Sequence, residues 1–326
     1  MTILGVESLI FGVEDLAECT RYFDDFGLIL DERGADRSRF VLPEGSSVVL
    51  KPHDAADLPR GTERAVGVRE IVWGVDDRDH LDRLAADLSR DLAVTADADG
   101  TVHFDPGFGV PMALRYFARK RVTCAPDQLN APDAIQRLNR PRKWRRRAYP
   151  KVINHVVFAA VDYEAAGDFM CRRLGFKVTD TQVGYGVYMR APGTRNHHTF
   201  LLVNADLPLP DFDGKAHFHH VNFGVEDLDE IMLGVNHMVR RGWRPSEVGL
   251  GRHRIDSGLF YYMPSPLGGE MEYGADADYV DDSWVPRRWP VPLFGYAHFT
   301  HNLPEFMHRE VEWKVEFFES EAELQI

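Results

Sequence analysis

Cysteine is scarce: Cys19, Cys124 and Cys171 are the only three in 326 residues, and no two form a CxxC pair. An odd number at that spacing argues against a disulfide framework or a thiolate zinc site, so the thiols are expected to be reduced and structural. No apolar run approaches the roughly 20 residues that a membrane helix needs. The opening MTILGVESLIFGVEDL has neither a basic leader nor a long apolar stretch. A soluble, cytoplasmic protein with no membrane partner is the expectation. Positive charge is also short: 38 Lys and Arg face 51 Asp and Glu, and the formal net charge of -13 opposes nucleic-acid phosphates. One basic cluster, Arg137, Arg140, Arg142, Lys143, Arg145, Arg146 and Arg147, reads as a solvated linker or a subunit contact, with an anionic-partner patch as the sharper alternative.

What is present is a repeat. LIFGVEDL from Leu9, IVWGVDD from Ile71, VVFAAVDY from Val156 and VNFGVEDL from Val221 share one shape, an apolar strand followed by a small residue and an acidic turn. Segments with helical spacing follow, such as LAECTRYFDDFG, EAAGDFMCRRLG and LDEIMLGVNHMVRRG, each closing on the Gly expected just past a helix C-terminus. Two or three strands come next, so each unit is βαβββ. One unit cannot cover both faces of its own sheet, so units should pair. The predicted fold class is α+β, with two domains of two paired βαβββ modules each. The expected divisions are an N-terminal domain at 1–120, a linker at 121–150, a C-terminal domain at 151–290 and a partly helical tail at 291–326.

The two halves differ at equivalent points of the repeat. The run Gly251–Gly274, GRHRIDSGLFYYMPSPLGGEMEYG, sets a His, a Tyr and a Glu around a Ser-Pro-Leu-Gly turn. His155 opens the first strand of the C-terminal half, His220 opens that of the second unit, and Glu272 closes the last strand. The N-terminal half offers Glu7 (within a residue), Glu70 and Arg115 at the matching places, and an Arg there would repel a cation. Two neutral imidazoles and a carboxylate from three strands suit a divalent first-row metal and leave coordination positions open for catalysis. This is the donor set of non-haem ferrous oxygenases, although zinc would accept it and Mn2+ is possible.

These residues resemble the type I extradiol ring-cleavage dioxygenases of the vicinal oxygen chelate superfamily. The likeness rests on the Gly-x-His start, the aromatic-Tyr pair, the Ser-Pro-x-Gly turn and the closing Glu-x-Glu-Tyr-Gly of 251–274. It extends through INHVVF at 153–158, RNHHTFLLV at 195–203 and HFHHVNFGV at 217–225. Tyr261 stands where an aliphatic residue or Phe is usual, and Ser265 where Thr, Ala or an acidic or amide residue is usual. The N-terminal half matches in the repeat pattern alone.

The resemblance implies an iron(II)-dependent dioxygenase that opens a catechol ring with O2, with His155, His220 and Glu272 as metal ligands and His198, His253 and Tyr262 on the substrate and dioxygen sides. Tyr262 would hydrogen-bond the catecholate oxygen, and His253 the substrate hydroxyl. His198 would face the reduced dioxygen as donor and acid; His197 competes for that place, since strand alternation should send the two neighbours to opposite faces. Asp256 could orient an imidazole or simply be solvated in a loop, and His219 should face away from its neighbour His220. Val157, Phe200, Phe223 and Phe260 are candidate pocket walls, with Trp284 and Phe294 as a lid. A homo-oligomer is expected. The other functions consistent with the sequence are a glyoxalase-type isomerase or lyase and a non-enzymatic binding module.

Overall fold

The computed structural model describes residues 2–59 and 64–317. The first half runs β1 (Ile3–Val13), α1 (Leu16–Phe26), β2 (Ile29–Arg33), β3 (Ser38–Val41), β4 (Ser47–Pro52), β5 (Gly67–Val75), α2 (Arg78–Leu88), β6 (Val94–Ala96), β7 (Val102–Phe104) and β8 (Met112–Tyr116). The second runs β9 (Val152–Ala160), α3 (Tyr163–Leu174), β10 (Lys177–Gln182), β11 (Gly186–Arg190), β12 (Phe200–Asn204), β13 (His217–Gly224), α4 (Leu228–Arg240), β14 (Gly251–Arg252), β15 (Leu259–Pro264) and β16 (Glu270–Ala275). Then follow β17 (Arg287–Trp289), α5 (Pro292–Tyr296), β18 (Phe299–Thr300) and β19 (Glu316–Phe317).

The acidic turn of the repeat has a local cause. Asp15, Asp77, Asp162 and Asp227 are the N-caps of α1 to α4, each accepting from the backbone N–H three residues on. An N-cap carboxylate satisfies a donor the helix cannot and lies at the positive end of its dipole. At the other end, Gly27 and Gly175 take φ of 107° and 73°, left-handed conformations that stop α1 and α3.

Each helix carries the chain across so that the first and last strands of a unit pair in parallel: β1 with β4, β5 with β8, β9 with β12 and β13 with β16. Units then join through antiparallel pairs of first strands, β1 with β5 and β9 with β13. The sheet orders are β2-β3-β4-β1-β5-β8-β7-β6 and β18-β14-β15-β16-β13-β9-β12-β11-β10-β17-β19. This is the βαβββ pairing the sequence predicts. The second sheet, however, takes β18 and β19 from the stretch expected to be a tail, because their backbones satisfy the edges left by β14 and β17. Of that expected tail, 318–326 lies outside the described residues.

One apolar core joins the two halves. Trp73 of β5 meets Phe176 and Phe200 edge-on at 4.9 and 5.5 Å, and Phe26 of α1 meets Phe223 of β13 at 5.4 Å. Residues 117–151 connect the sheets without regular elements. Three of the seven residues of the basic cluster there form ion pairs: Arg142 with Asp229, Lys143 with Glu226, and Arg145 with Glu226 and Asp227. These three neutralise the acidic start of α4. No helix among the described residues is long and apolar enough to cross a membrane.

Candidate metal centre

Strand alternation divides the second sheet between the shared core and the opposite face. Val156 and Phe158 of β9, Val221 and Phe223 of β13, and Met271 and Tyr273 of β16 enter the core. That leaves His155, His220 and Glu272 on the other face, all buried. His155 Nε2 lies 3.3 Å from His220 Nε2, and Glu272 Oε2 lies 3.3 and 3.4 Å from the two nitrogens. Ligand atoms bonded at about 2.1 Å span about 3.0 Å at right angles and about 3.4 Å at tetrahedral angles, so the triangle has the size a first-row dication requires.

A second observation supports the fit. Glu272 Oε2 is buried and accepts no hydrogen bond. A buried carboxylate oxygen without a partner is costly, and a cation between it and two imidazole nitrogens removes that cost. Burial, followed by the neighbouring His219 and His155 rings, pushes His220 well below the ordinary histidine range, which keeps its ring neutral and its lone pair available. The triad could therefore hold a divalent metal from one side.

The other residues singled out in the sequence lie around this triangle. His198 stacks on His155 with ring centroids 4.1 Å apart, and burial, then the rings of His155 and His197, hold it well below its usual range. His197 is beside it and equally buried, with the two Nδ1 atoms 3.2 Å apart. The expectation that the pair would diverge fails because both precede β12, in a loop where alternation does not operate. His219 departs for a related reason: a bulge between Phe218 and His220 brings its Nδ1 within 2.6 Å of His220 Nδ1.

Tyr262 stands opposite Glu272 in the β15–β16 register, and its hydroxyl is 3.2 Å from His253 Nε2. His253 Nδ1 lies 2.5 Å from the Tyr296 carbonyl. A carbonyl can only accept, so Nδ1 carries the hydrogen and the neutral ring's Nε2 accepts from the phenol. Burial pushes the Tyr262 hydroxyl well above its ordinary value, so it stays protonated. Asp256 is buried, not solvated; its Oδ2 is 3.8 Å from His198 Nδ1, too far for a hydrogen bond, while Oδ1 accepts from the Gly258 N–H at 3.0 Å.

Two contributors were not anticipated. Tyr296 comes from α5 and carried no motif. Glu270 pairs in register with His220, and burial followed by the charge of Glu272 lifts it to about 7; the Glu-x-Glu alternation of the 270–274 run would have placed it on this face. Among the proposed pocket walls, Val157 faces the site side, whereas Phe200 and Phe223 belong to the shared core. Phe260 stacks on His253 at 4.0 Å. Phe294 packs on Trp289 inside a small apolar cluster, and Trp284 meets the edge of His197 at 5.8 Å.

A cavity of about 340 Å³ adjoins the triad, with His155, His198, His253, Asp256 and Glu272 in its wall and Val122, Cys124 and Tyr279 also lining it. A larger one, about 1200 Å³, lies on the first sheet. Volume does not locate the chemistry here; the donor set does. Register makes Ser8, Glu70 and Ala113 the first-half counterparts of His155, His220 and Glu272. Arg115 falls one pleat beyond the position the sequence suggested and pairs with Glu7 at 3.1 Å. Glu70 is engaged by His103 at 2.7 Å.

This geometry defines a protein of paired βαβββ units with a His-His-Glu donor set on one sheet. Residues 152–263 match the model of the Glyoxalase/Bleomycin resistance protein/Dioxygenase superfamily. The match is confined to that segment, about a third of the chain, and the fold is the vicinal oxygen chelate fold. Metapyrocatechase 2 of Cupriavidus necator is 26% identical over 220 residues, covering 66% of this chain and 65% of that protein. An iron-dependent extradiol dioxygenase of Rhodococcus jostii is 31% identical over 157 residues, covering 44% of this chain and 50% of that protein. The chain thus spans about half to two-thirds of the length of these relatives. The Mn(II)-bound glyoxalase from Novosphingobium aromaticivorans shares the fold with a TM-score of 0.68 at 20% identity, over 95% of this chain and 96% of that one.

Proposed function

We propose that this chain is an iron(II)-dependent extradiol dioxygenase, which cleaves a catechol beside its hydroxyls with O2 to a hydroxy-oxo-dienoate in aromatic catabolism. The observation that carries this is the convergence of the His155–His220–Glu272 triangle with His198 and the hydrogen-bonded His253–Tyr262 pair in one buried site. Held by His155, His220 and Glu272, a ferrous ion would bind the catechol oxygens and activate dioxygen; Mn2+ suits the same donors.

The chain's own groups would manage the protons. Tyr262, kept protonated by burial, donates to a catecholate oxygen. His253, fixed through Nδ1 on the Tyr296 carbonyl, accepts from the Tyr262 hydroxyl in the free protein; once Tyr262 turns its one hydrogen to the substrate oxygen, the freed Nε2 takes the proton leaving the substrate. His198, a neutral ring stacked on His155, accepts and returns a proton on the dioxygen side. Asp256 lends the surrounding imidazoles a fixed negative charge. Val157, Tyr188, Leu201 and Ile255 supply an apolar surround that limits water.

A cytoplasmic setting and a homo-oligomer complete the proposal. The first rests on three unpaired cysteines, the second on Leu129, Ile135, Leu138 and Trp144, all exposed in the connecting segment. Anaerobic reconstitution with ferrous iron, then oxygen uptake with simple and aryl-substituted catechols, tests the function. Stoichiometric uptake, with both atoms of labelled dioxygen in the ring-opened product, is expected. Absence of uptake with every catechol sinks the proposal, and turnover of an oxygen-free isomerisation with nickel or zinc would transfer it to the glyoxalase-type chemistry.

A further inference from the structure

Behind His198 lies a chain of buried polar groups that the proposed reaction does not yet use. Asp180 on β10 is fully buried. Its Oδ1 accepts from the Arg287 backbone N–H at 2.9 Å and from Arg287 Nε at 3.1 Å. Its Oδ2 accepts from Arg287 Nη2 at 2.6 Å and Trp289 Nε1 at 3.1 Å, and lies 3.2 Å from His197 Nε2. Arg287 is itself placed over the rings of Trp284 and Trp289, at 4.6 and 5.0 Å. The parallel pairing of β10 with β17, which sets Asp180 against Arg287, brings these groups together from 107 residues apart.

The donor and acceptor inventory then fixes the hydrogens. A carboxylate neutralised by an arginine only accepts, so His197 Nε2 carries a hydrogen. With its one hydrogen on Nε2, His197 presents Nδ1 as an acceptor, and the 3.2 Å contact is a hydrogen bond when His198 carries its own hydrogen on Nδ1. His198 Nε2 is then the acceptor. Asp256, 3.8 Å from His198 Nδ1, is too distant to compete.

We propose that Asp180 and His197, locked by Arg287 and Trp289, are a positioning pair that sets the tautomer and ring plane of His198. Built on the dioxygenase reading, the pair obliges His198 to collect a proton at Nε2 before it can act as an acid. His197 lies in the wall of the same cavity and acts through its 3.2 Å contact with His198, as an oriented imidazole does wherever a buried carboxylate fixes its tautomer.

The test uses the full-length protein labelled with ¹⁵N-histidine, without metal, and His198→Gln to assign the ring signals. Wild type should show His198 as the Nδ1–H tautomer. Asp180→Leu removes the acceptor that holds the hydrogen on His197 Nε2 and should abolish the His198 preference. His197→Phe, which leaves the Asp180–Arg287 pair intact, should do the same if the Leu variant does not fold. In iron-loaded protein, kcat should fall roughly 10²–10³-fold in either variant, with KM for the catechol within about threefold and full metal occupancy. An unchanged His198 tautomer in the folded variants overturns the pair, as does a loss confined to metal occupancy with kcat per iron preserved. If wild type consumes no oxygen with any catechol, the function fails while the tautomer measurement still decides the pair.

Discussion

Phe26 and Tyr273 lie face to face, their ring centroids 3.9 Å apart and their planes within 4°, and the Tyr273 hydroxyl donates to the Phe26 carbonyl at 2.7 Å. Phe26 ends the first helix of the N-terminal half, and Tyr273 follows Glu272, the proposed ligand, on the opposite face of β16. The contact braces from behind the strand that carries Glu272. Phe26→Ala should cost about 3–5 kcal/mol in urea unfolding and weaken metal binding through the loosened strand. A loss below about 1 kcal/mol with unaltered metal affinity would show that the halves are not coupled here.

Glu272 Oε2 is buried without a hydrogen-bond partner, so this oxygen is left unsatisfied unless a cation sits between it and the two imidazoles. Glu272→Gln should leave the apo protein as stable as wild type or more so. The wild-type melting temperature should climb on adding ferrous or manganous ion, by linkage, and that of the variant should not. Equal metal-dependent shifts in both proteins would remove Glu272 from the ligand set.

Tyr262→Phe deletes the hydroxyl proposed to donate to the substrate oxygen, which is also the partner of His253 Nε2, without touching His155, His220 or Glu272. A fall in kcat/KM of roughly 10²-fold is expected with unchanged iron content. Steady-state oxygen uptake beside iron analysis separates this from a structural loss, which would lower both together.

His103 is lifted to about 9, chiefly by its hydrogen bond to Glu70 and further by Asp97. A raised histidine value contributes stability that is complete below the unfolded value of about 6.5 and disappears as pH rises through the folded value. Wild type should therefore lose about 1–2 kcal/mol relative to His103→Gln between pH 6.5 and 9, after discounting the partly exposed ring for solvent screening. Parallel stability curves for the two proteins across that window would refute the pairing.

Arg119 holds the buried Glu44 through Nε at 2.6 Å, while Glu44 Oε1 accepts from the Ile153 N–H at the start of β9. Arg119→Ala leaves a buried carboxylate without its cation and should cost about 3–5 kcal/mol. Glu44→Gln combined with Arg119→Ala should recover part of that loss in chemical denaturation; a double variant no better than the single one would place the cost elsewhere.

The sequence by itself determined the unit and the three residues proposed as ligands. Acidic N-caps and strand periodicity are local, so four repeats declared four βαβββ units, and a difference between halves at matching strand positions singled out His155, His220 and Glu272. Tertiary structure decided what depends on register and on distant pairing. A bulge set His219 beside His220, the loop before β12 turned His197 and His198 inward together, and a shift of one pleat put Ala113 where Arg115 was expected. Strand β17 brought Arg287 to Asp180, and α5 brought the Tyr296 carbonyl to His253. Local sequence encodes backbone preference over a few residues, whereas which side chains meet across a sheet follows from pairings that no short window contains.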